Sequence, residues 1–197
     1  MKNLFLCLLV LVLSGFGNAI ADGTLPAYLY TGSDPVEAAA AAWTAEIGQS
    51  RFLVEEGTVS IPAPVILRTE EQDEKHLLVY GDFWVFNYNL DEKTLECISG
   101  GETPGIMALE KSGDGWTVTT VEEADCGEDF VADIRRFSHG DAALEELYFS
   151  ASDGDGDLLK NTRHRFIQDY VSANGLGVEA YHDFGWEPVP LSATPGI

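Results

Sequence analysis

The sequence predicts an α+β domain, with an N-terminal helix packed on an antiparallel meander sheet and further helices after it. Three observations predict this. A helical period with a start signal occupies residues 34–47, and strand-like runs separated by turn residues fill 59–121. The helical period then returns between 130 and 174. Strands grouped in the middle with helices outside them make an α+β arrangement rather than alternating βα units.

In the first helix Asp34 stands as cap, Pro35 at the first helical position and Glu37 three residues after the cap, a capping-box spacing. Val36, Ala40, Trp43 and Ile47 then recur every three or four residues, with Gly48 as the expected stop. Val59 to Leu67 reads as a strand. Pro62 and Pro64 place it at a sheet edge, because proline donates no ladder hydrogen bond. The charged run 69–76 reads as a loop. His76 to Leu90 is the strongest strand, and Thr94 to Ser99 follows it through Asp91-Glu92-Lys93 as a hairpin. Gly100-Gly101 and Pro104-Gly105 break the chain. Ile106 to Lys111 and Trp116 to Val121 form another hairpin through Ser112-Gly113-Asp114-Gly115, so four runs make a meander.

Phe130 to Phe137 and Ala142 to Phe149 read as short helices. Asp157 is expected to cap a longer one, closed by Asn174-Gly175, with Leu159, Phe166, Tyr170 and Ala173 on its apolar side. Residues 176–197 carry Trp186 and three prolines and read as an extended tail. The expected organisation is therefore 1–21 as a signal peptide, 22–33 irregular, 34–175 one domain, and 176–197 the tail.

The signal peptide is read from the charged start Met1-Lys2-Asn3, the apolar run Leu4 to Leu13 and the small-x-small site Ala19-Ile20-Ala21. Ten apolar residues fall short of the ~20 that a membrane span needs, so the expectation is a released protein, secreted or periplasmic. With 45% hydrophobic and 11% aromatic residues the chain has the means to build a core. A formal net charge of −22 repels phosphate backbones and anionic lipid heads, which argues against nucleic-acid and membrane-surface partners. A small molecule, a peptide or a cell-envelope component remains as partner, and no cofactor motif is present. Removing Cys7 with the leader leaves Cys97 and Cys126, an even pair that predicts one disulfide. It would close a loop of about 30 residues and contribute roughly 3–4 kcal/mol.

No metal centre is predicted. His76, His139, His164 and His182 show no paired metal-ligand spacing. Asp153-Gly154-Asp155-Gly156-Asp157 imitates a calcium loop, but either frame misplaces the required glycine or the twelfth-position acid, so it reads as an acidic loop before a helix. Arg163-His164-Arg165 reads as a solvated helix face. Asp183-Phe184-Gly185 imitates a kinase triplet without the accompanying loops.

Ser99-Gly100-Gly101-Glu102-Thr103-Pro104-Gly105, followed by Leu109, Lys111 and Asp114-Gly115-Trp116, forms a pattern with Ile61-Pro62-Ala63-Pro64-Val65-Ile66 and Tyr80-Gly81-Asp82-Phe83-Trp84. It resembles a group of small exported proteins of gut-type Firmicutes. Their helix-then-curved-meander order is similar to the cystatin-like and nuclear-transport-factor-2-like cone folds. The resemblance covers about 34–137 and implies a curved sheet. It brings no activity, because that fold hosts binders, enzymes and dimerisation modules alike.

Alternation along 76–90 places Leu77, Val79, Gly81, Phe83 and Val85 on one side and Leu78, Tyr80, Asp82, Trp84, Phe86 and Tyr88 on the other. The second side is an aromatic row interrupted by one carboxylate. The leading expectation is a non-catalytic binding module that uses Tyr80, Trp84, Phe86 and Tyr88. In an alternative, the row lines a cone pocket in which burial raises the pKa of Asp82 and makes it a general base. In a third reading Asp82 serves the backbone or solvent and the domain is a structural accessory.

Overall fold

The computed structural model describes residues 24–192 apart from residue 126. The expected signal peptide, Cys126 of the expected disulfide, and residues 193–197 lie outside the described residues. Within them the protein is α+β, with four helices and seven strands in one curved open sheet.

Helix α1 (Pro35–Arg51) starts where its cap predicts. Asp34 Oδ1 accepts from Val36 N at 2.8 Å and Glu37 N at 3.3 Å. The return half of the capping box is spent elsewhere, because Glu37 instead accepts from Tyr30 Oη at 2.6 Å and from Arg165 Nη2 at 2.5 Å. Gly48 does not stop the helix. It lies inside α1, where an added Cβ would sit 2.5 Å from Val85 Cγ2, so its role is close approach of helix to sheet.

Strand β1 (Val59–Glu71) continues into the charged run expected as a loop, because Thr69, Glu70 and Glu71 pair with Val79, Leu78 and Leu77. Among the described residues it pairs only with β2 (His76–Asp91), as an edge strand. Phe83, opposite Pro64, sends its N–H the other way to Thr103 O at 3.2 Å, so the prolines lack N–H groups only toward the open edge.

The expected four-strand meander is corrected at its centre. Strands β3 (Thr94–Gly101) and β4 (Pro104–Ser112) do not fold back on each other. They run end to end along the same edge of β2, β3 against 85–91 and β4 against 76–82. The Gly-Gly and Pro-Gly pairs interrupt one long strand without reversing it, because the Phe83–Thr103 bond carries the ladder across the gap. Strand β5 (Gly115–Glu123) then pairs with β4. Register shifts at Ile66/Arg68, Asn87/Tyr88 and Ala108/Leu109 insert the bulges that bend the sheet.

Helices cover both sides. On one, α1 packs on Leu77, Val79 and Phe83, and Trp43 meets Phe83 edge to face. On the other, α2 (Phe130–Phe137) and α3 (Ala142–Ala151) pack on Tyr80, and α4 (Asp157–Asn174) packs on Phe86, Tyr88 and the inner residues of β1. Asp157 is the first residue of α4 rather than its cap, which is Gly156 with no side-chain bond, and Gly175 closes the helix at φ 61°. The expected tail joins the sheet. Strand β6 (Ala180–Asp183) runs parallel to β3 and pairs with β7 (Val189–Pro190), and Tyr181 is buried.

Candidate ligand cleft

The aromatic row of β2 is inside the protein. Tyr80, Phe86 and Tyr88 are buried and Trp84 is half-buried, so the face expected to meet a ligand is the floor under α2, α3 and α4. The reason is local. Val65, Ala63, Ile61 and Val59 stand opposite Asp82, Trp84, Phe86 and Tyr88 and extend the apolar face across two strands. A face that wide is driven under helices.

The two ends of the Asp82–Tyr88 stretch of this row have opposite electrostatics. At one end Asp82 is fully buried, and its Oδ2 accepts from Ser152 Oγ at 2.7 Å. Its other oxygen and Glu102 Oε2 are buried with no hydrogen-bond partner among the described residues. Burial, then the neighbouring Glu102 carboxyl, push the Asp82 pKa well above the ordinary carboxyl range. Burial raises Glu102 as well. No described cation forms an ion pair with either group. Trp84 Nε1 donates to Ala151 O at 3.0 Å and ties the same helix end to the sheet.

At the other end Arg163 projects from α4 onto the row. Its guanidinium carbon lies 3.8 Å from the Phe86 ring centroid and 4.9 Å from that of Tyr181. Nε donates to Tyr88 Oη at 2.6 Å, and both terminal nitrogens donate to Asp183 at 2.6 Å. Burial works against the charge, but Tyr88 and Asp183 hold the Arg163 pKa above its ordinary value. For Asp183 burial pushes upward, and the bonds and charge of Arg163 outweigh it, so its pKa is lowered. The Arg163-His164-Arg165 island is therefore not a solvated face. Arg163 and His164 are buried, and Arg165 pairs with Glu37. Cys97 lies on β3 beside this site, its Sγ 3.4 Å from Ser99 O.

Arg163 also marks a cleft of about 750 Å³ outside the floor. One wall is the loop 153–157 with the first turns of α4, and the other is β6, β7 and the turn between them. Its apolar surface comes from Leu159, Tyr181, Trp186 and Val189. Its acids are Asp153, Asp155, Asp157, Asp183 and Glu187, against Lys160 and Arg163. Arg163 is taken by Asp183 and Lys160 stands 3.6 Å from Asp155, so neither of these cations pairs with Asp153, Asp157 or Glu187. Trp186 is 67% exposed and its ring meets no other aromatic ring among the described residues.

The calcium-like loop 153–157 thus forms a cleft wall. Asp153 Oδ1 accepts from Asp155 N at 3.0 Å and Asp153 O from Gly156 N at 2.8 Å, which turns the loop into α4. Among the described residues no group of three or more His, Cys, Asp or Glu side chains is placed to hold a metal ion.

Sequence reasoning singled out Tyr80, Asp82, Trp84, Phe86 and Tyr88, and missed Asp183, Trp186 and the part played by Arg163. One signal for Arg163 was present: Leu159, Arg163, Phe166 and Tyr170 follow helical spacing, so the arginine stands on the apolar stripe. No known protein family, curated protein or solved structure matches the chain.

Proposed function

We propose that the protein is a non-catalytic binding module of the extracytoplasmic space that takes a small organic cation in the cleft between α4 and the β6–β7 segment. The aromatic row of β2 supports that cleft from beneath rather than meeting the ligand. The observation that carries the reading is the pairing of an exposed indole, Trp186, with Asp153, Asp157 and Glu187 in one concavity. An aromatic face and carboxylates together stabilise a cation that keeps an apolar body, such as a substituted ammonium. The chain's charge of −22 draws such ligands in and repels anions. Export through residues 1–21 and the likeness to cystatin-like exported proteins belong to the same reading. Among the described residues no helix is long and apolar enough to cross a membrane.

The test is a titration of the protein with benzyltrimethylammonium and, in parallel, benzoate, followed by tryptophan fluorescence and calorimetry. The expected result is saturable binding of the cation alone, weakened about tenfold in Trp186→Ala. Equal binding of benzoate, an unchanged Trp186→Ala affinity, or no saturation at about millimolar concentration overturns the proposal.

A further inference from the structure

We infer that His182 is an imidazolium clasp on the cleft: doubly protonated, it ties the turn that carries Trp186 to the sheet, and losing one proton releases that turn. The inference rests on the cleft reading for its functional meaning, while its chemistry stands on the geometry of His182 alone.

His182 Nδ1 lies 2.5 Å from Glu96 Oε2 on β3. Its Nε2 lies 2.6 Å from the carbonyl oxygen of Trp186. A carboxylate and a peptide carbonyl both accept hydrogen bonds and offer no proton. A neutral imidazole carries one N–H and one lone pair, so it would set a lone pair against an oxygen on one side. Only the imidazolium satisfies both contacts. The bond to Glu96, and after it the Trp186 carbonyl, accordingly raise the His182 pKa above its ordinary value.

The charged groups around the ring are few. Glu96 faces it from β3, and Asp183 follows it on β6. Arg163 of α4 is held by Asp183 rather than by the ring. The turn is otherwise lightly tied. Trp186 N donates to Asp183 O at 3.0 Å, and Gly185 takes the left-handed φ of 86° that closes the turn. Phe184 is 95% exposed.

As pH rises, the proton departs from Nε2 to solvent, because Nδ1–H is retained by the charged acceptor Glu96. The Nε2 lone pair then faces the Trp186 carbonyl, that bond is lost, and the indole is no longer set at the cleft mouth. Histidine titrates in the range where compartments differ in acidity, so the cleft is organised in mildly acidic surroundings and loosened in alkaline ones.

The experiment is a ligand-free pH titration of the full folded chain by NMR, reading the ring nitrogens of His182 and the indole N–H of Trp186. Both His182 nitrogens are expected to be protonated at pH 6, with a midpoint above the ordinary value of about 6.5 and a Trp186 inflection at the same midpoint. Glu96→Gln should move both midpoints down together. His182→Asn should abolish the Trp186 inflection while the remaining spectrum stays native. A neutral His182 at pH 6, or a Trp186 signal without that inflection, overturns the clasp. Since no ligand is used, failure of cation binding with the linked inflections intact strikes only the ligand assignment.

Discussion

Asp82 and Arg163 stand at opposite ends of the Asp82–Tyr88 stretch of the aromatic row, both deeply buried, and the protein treats their charges in opposite ways. Arg163 meets a carboxylate, a phenol and two ring faces contributed by two strands, β2 and β6. Its partner Asp183 is driven toward the ionised form. Asp82 meets one hydroxyl and a second carboxyl, and is driven toward the neutral form. Burial is common to both ends; the difference is whether a neighbouring element supplies the opposite charge. One end keeps a charge for the cleft above it. The other holds best with a proton.

Removing the counter-charge at the Arg163 end should have the largest effect. Asp183→Ala leaves a buried guanidinium without its bidentate partner. The expected loss is roughly 3 kcal/mol, at the low end for a buried pair because Asp183 is partly exposed. Denaturant unfolding measures it. The double variant with Arg163→Met should recover part of that loss, and a strictly additive cycle would show that the two groups do not act as a pair.

At the Asp82 end the sign reverses. A carboxyl whose folded pKa is raised contributes stability that is complete below the ordinary carboxyl range and is lost as pH rises through the folded value. Asp82→Asn keeps the shape, offers an N–H toward Glu102 and cannot acquire the charge. The variant should therefore exceed the native protein in thermal midpoint at pH 8, by about 1–3 kcal/mol in stability. The advantage should vanish toward pH 4. An advantage that grew on acidification would refute a raised Asp82 pKa.

A smaller effect tests the face that bears neither charge. Gly48→Ala gains helix propensity but drives a methyl into Val85 and Ser60. The net destabilisation should be about 1 kcal/mol, read from the urea midpoint.

Much of the fold was legible because it follows local rules. The Asp34-Pro35 start of α1, the edge placement demanded by Pro62 and Pro64, the hairpin at 112–115 and the Gly175 stop of α4 each depend on the dihedral or donor chemistry of a few residues. The errors share a different cause. Gly100-Gly101 and Pro104-Gly105 are turn residues by composition, but whether the strand reverses or continues depended on Phe83 finding Thr103 across the gap. Gly48 resembles a helix stop until Val85 is seen beneath it. Trp186 reads only as part of an extended tail, yet a turn between two strands holds it, largely exposed.

The alternation of β2 was decided by sequence alone, because side chains of a strand take opposite faces whatever covers them. So was the excess of negative charge. Which face became floor and which concavity stayed open was decided only by tertiary structure. Residues 180–190 had to pair beside β3, far away in the chain, before Asp183 could meet Arg163 and Trp186 could stand at a cleft. Apolar pattern says that a surface will be buried, but the element that buries it, and the charges it brings along, depend on contacts between segments remote in sequence.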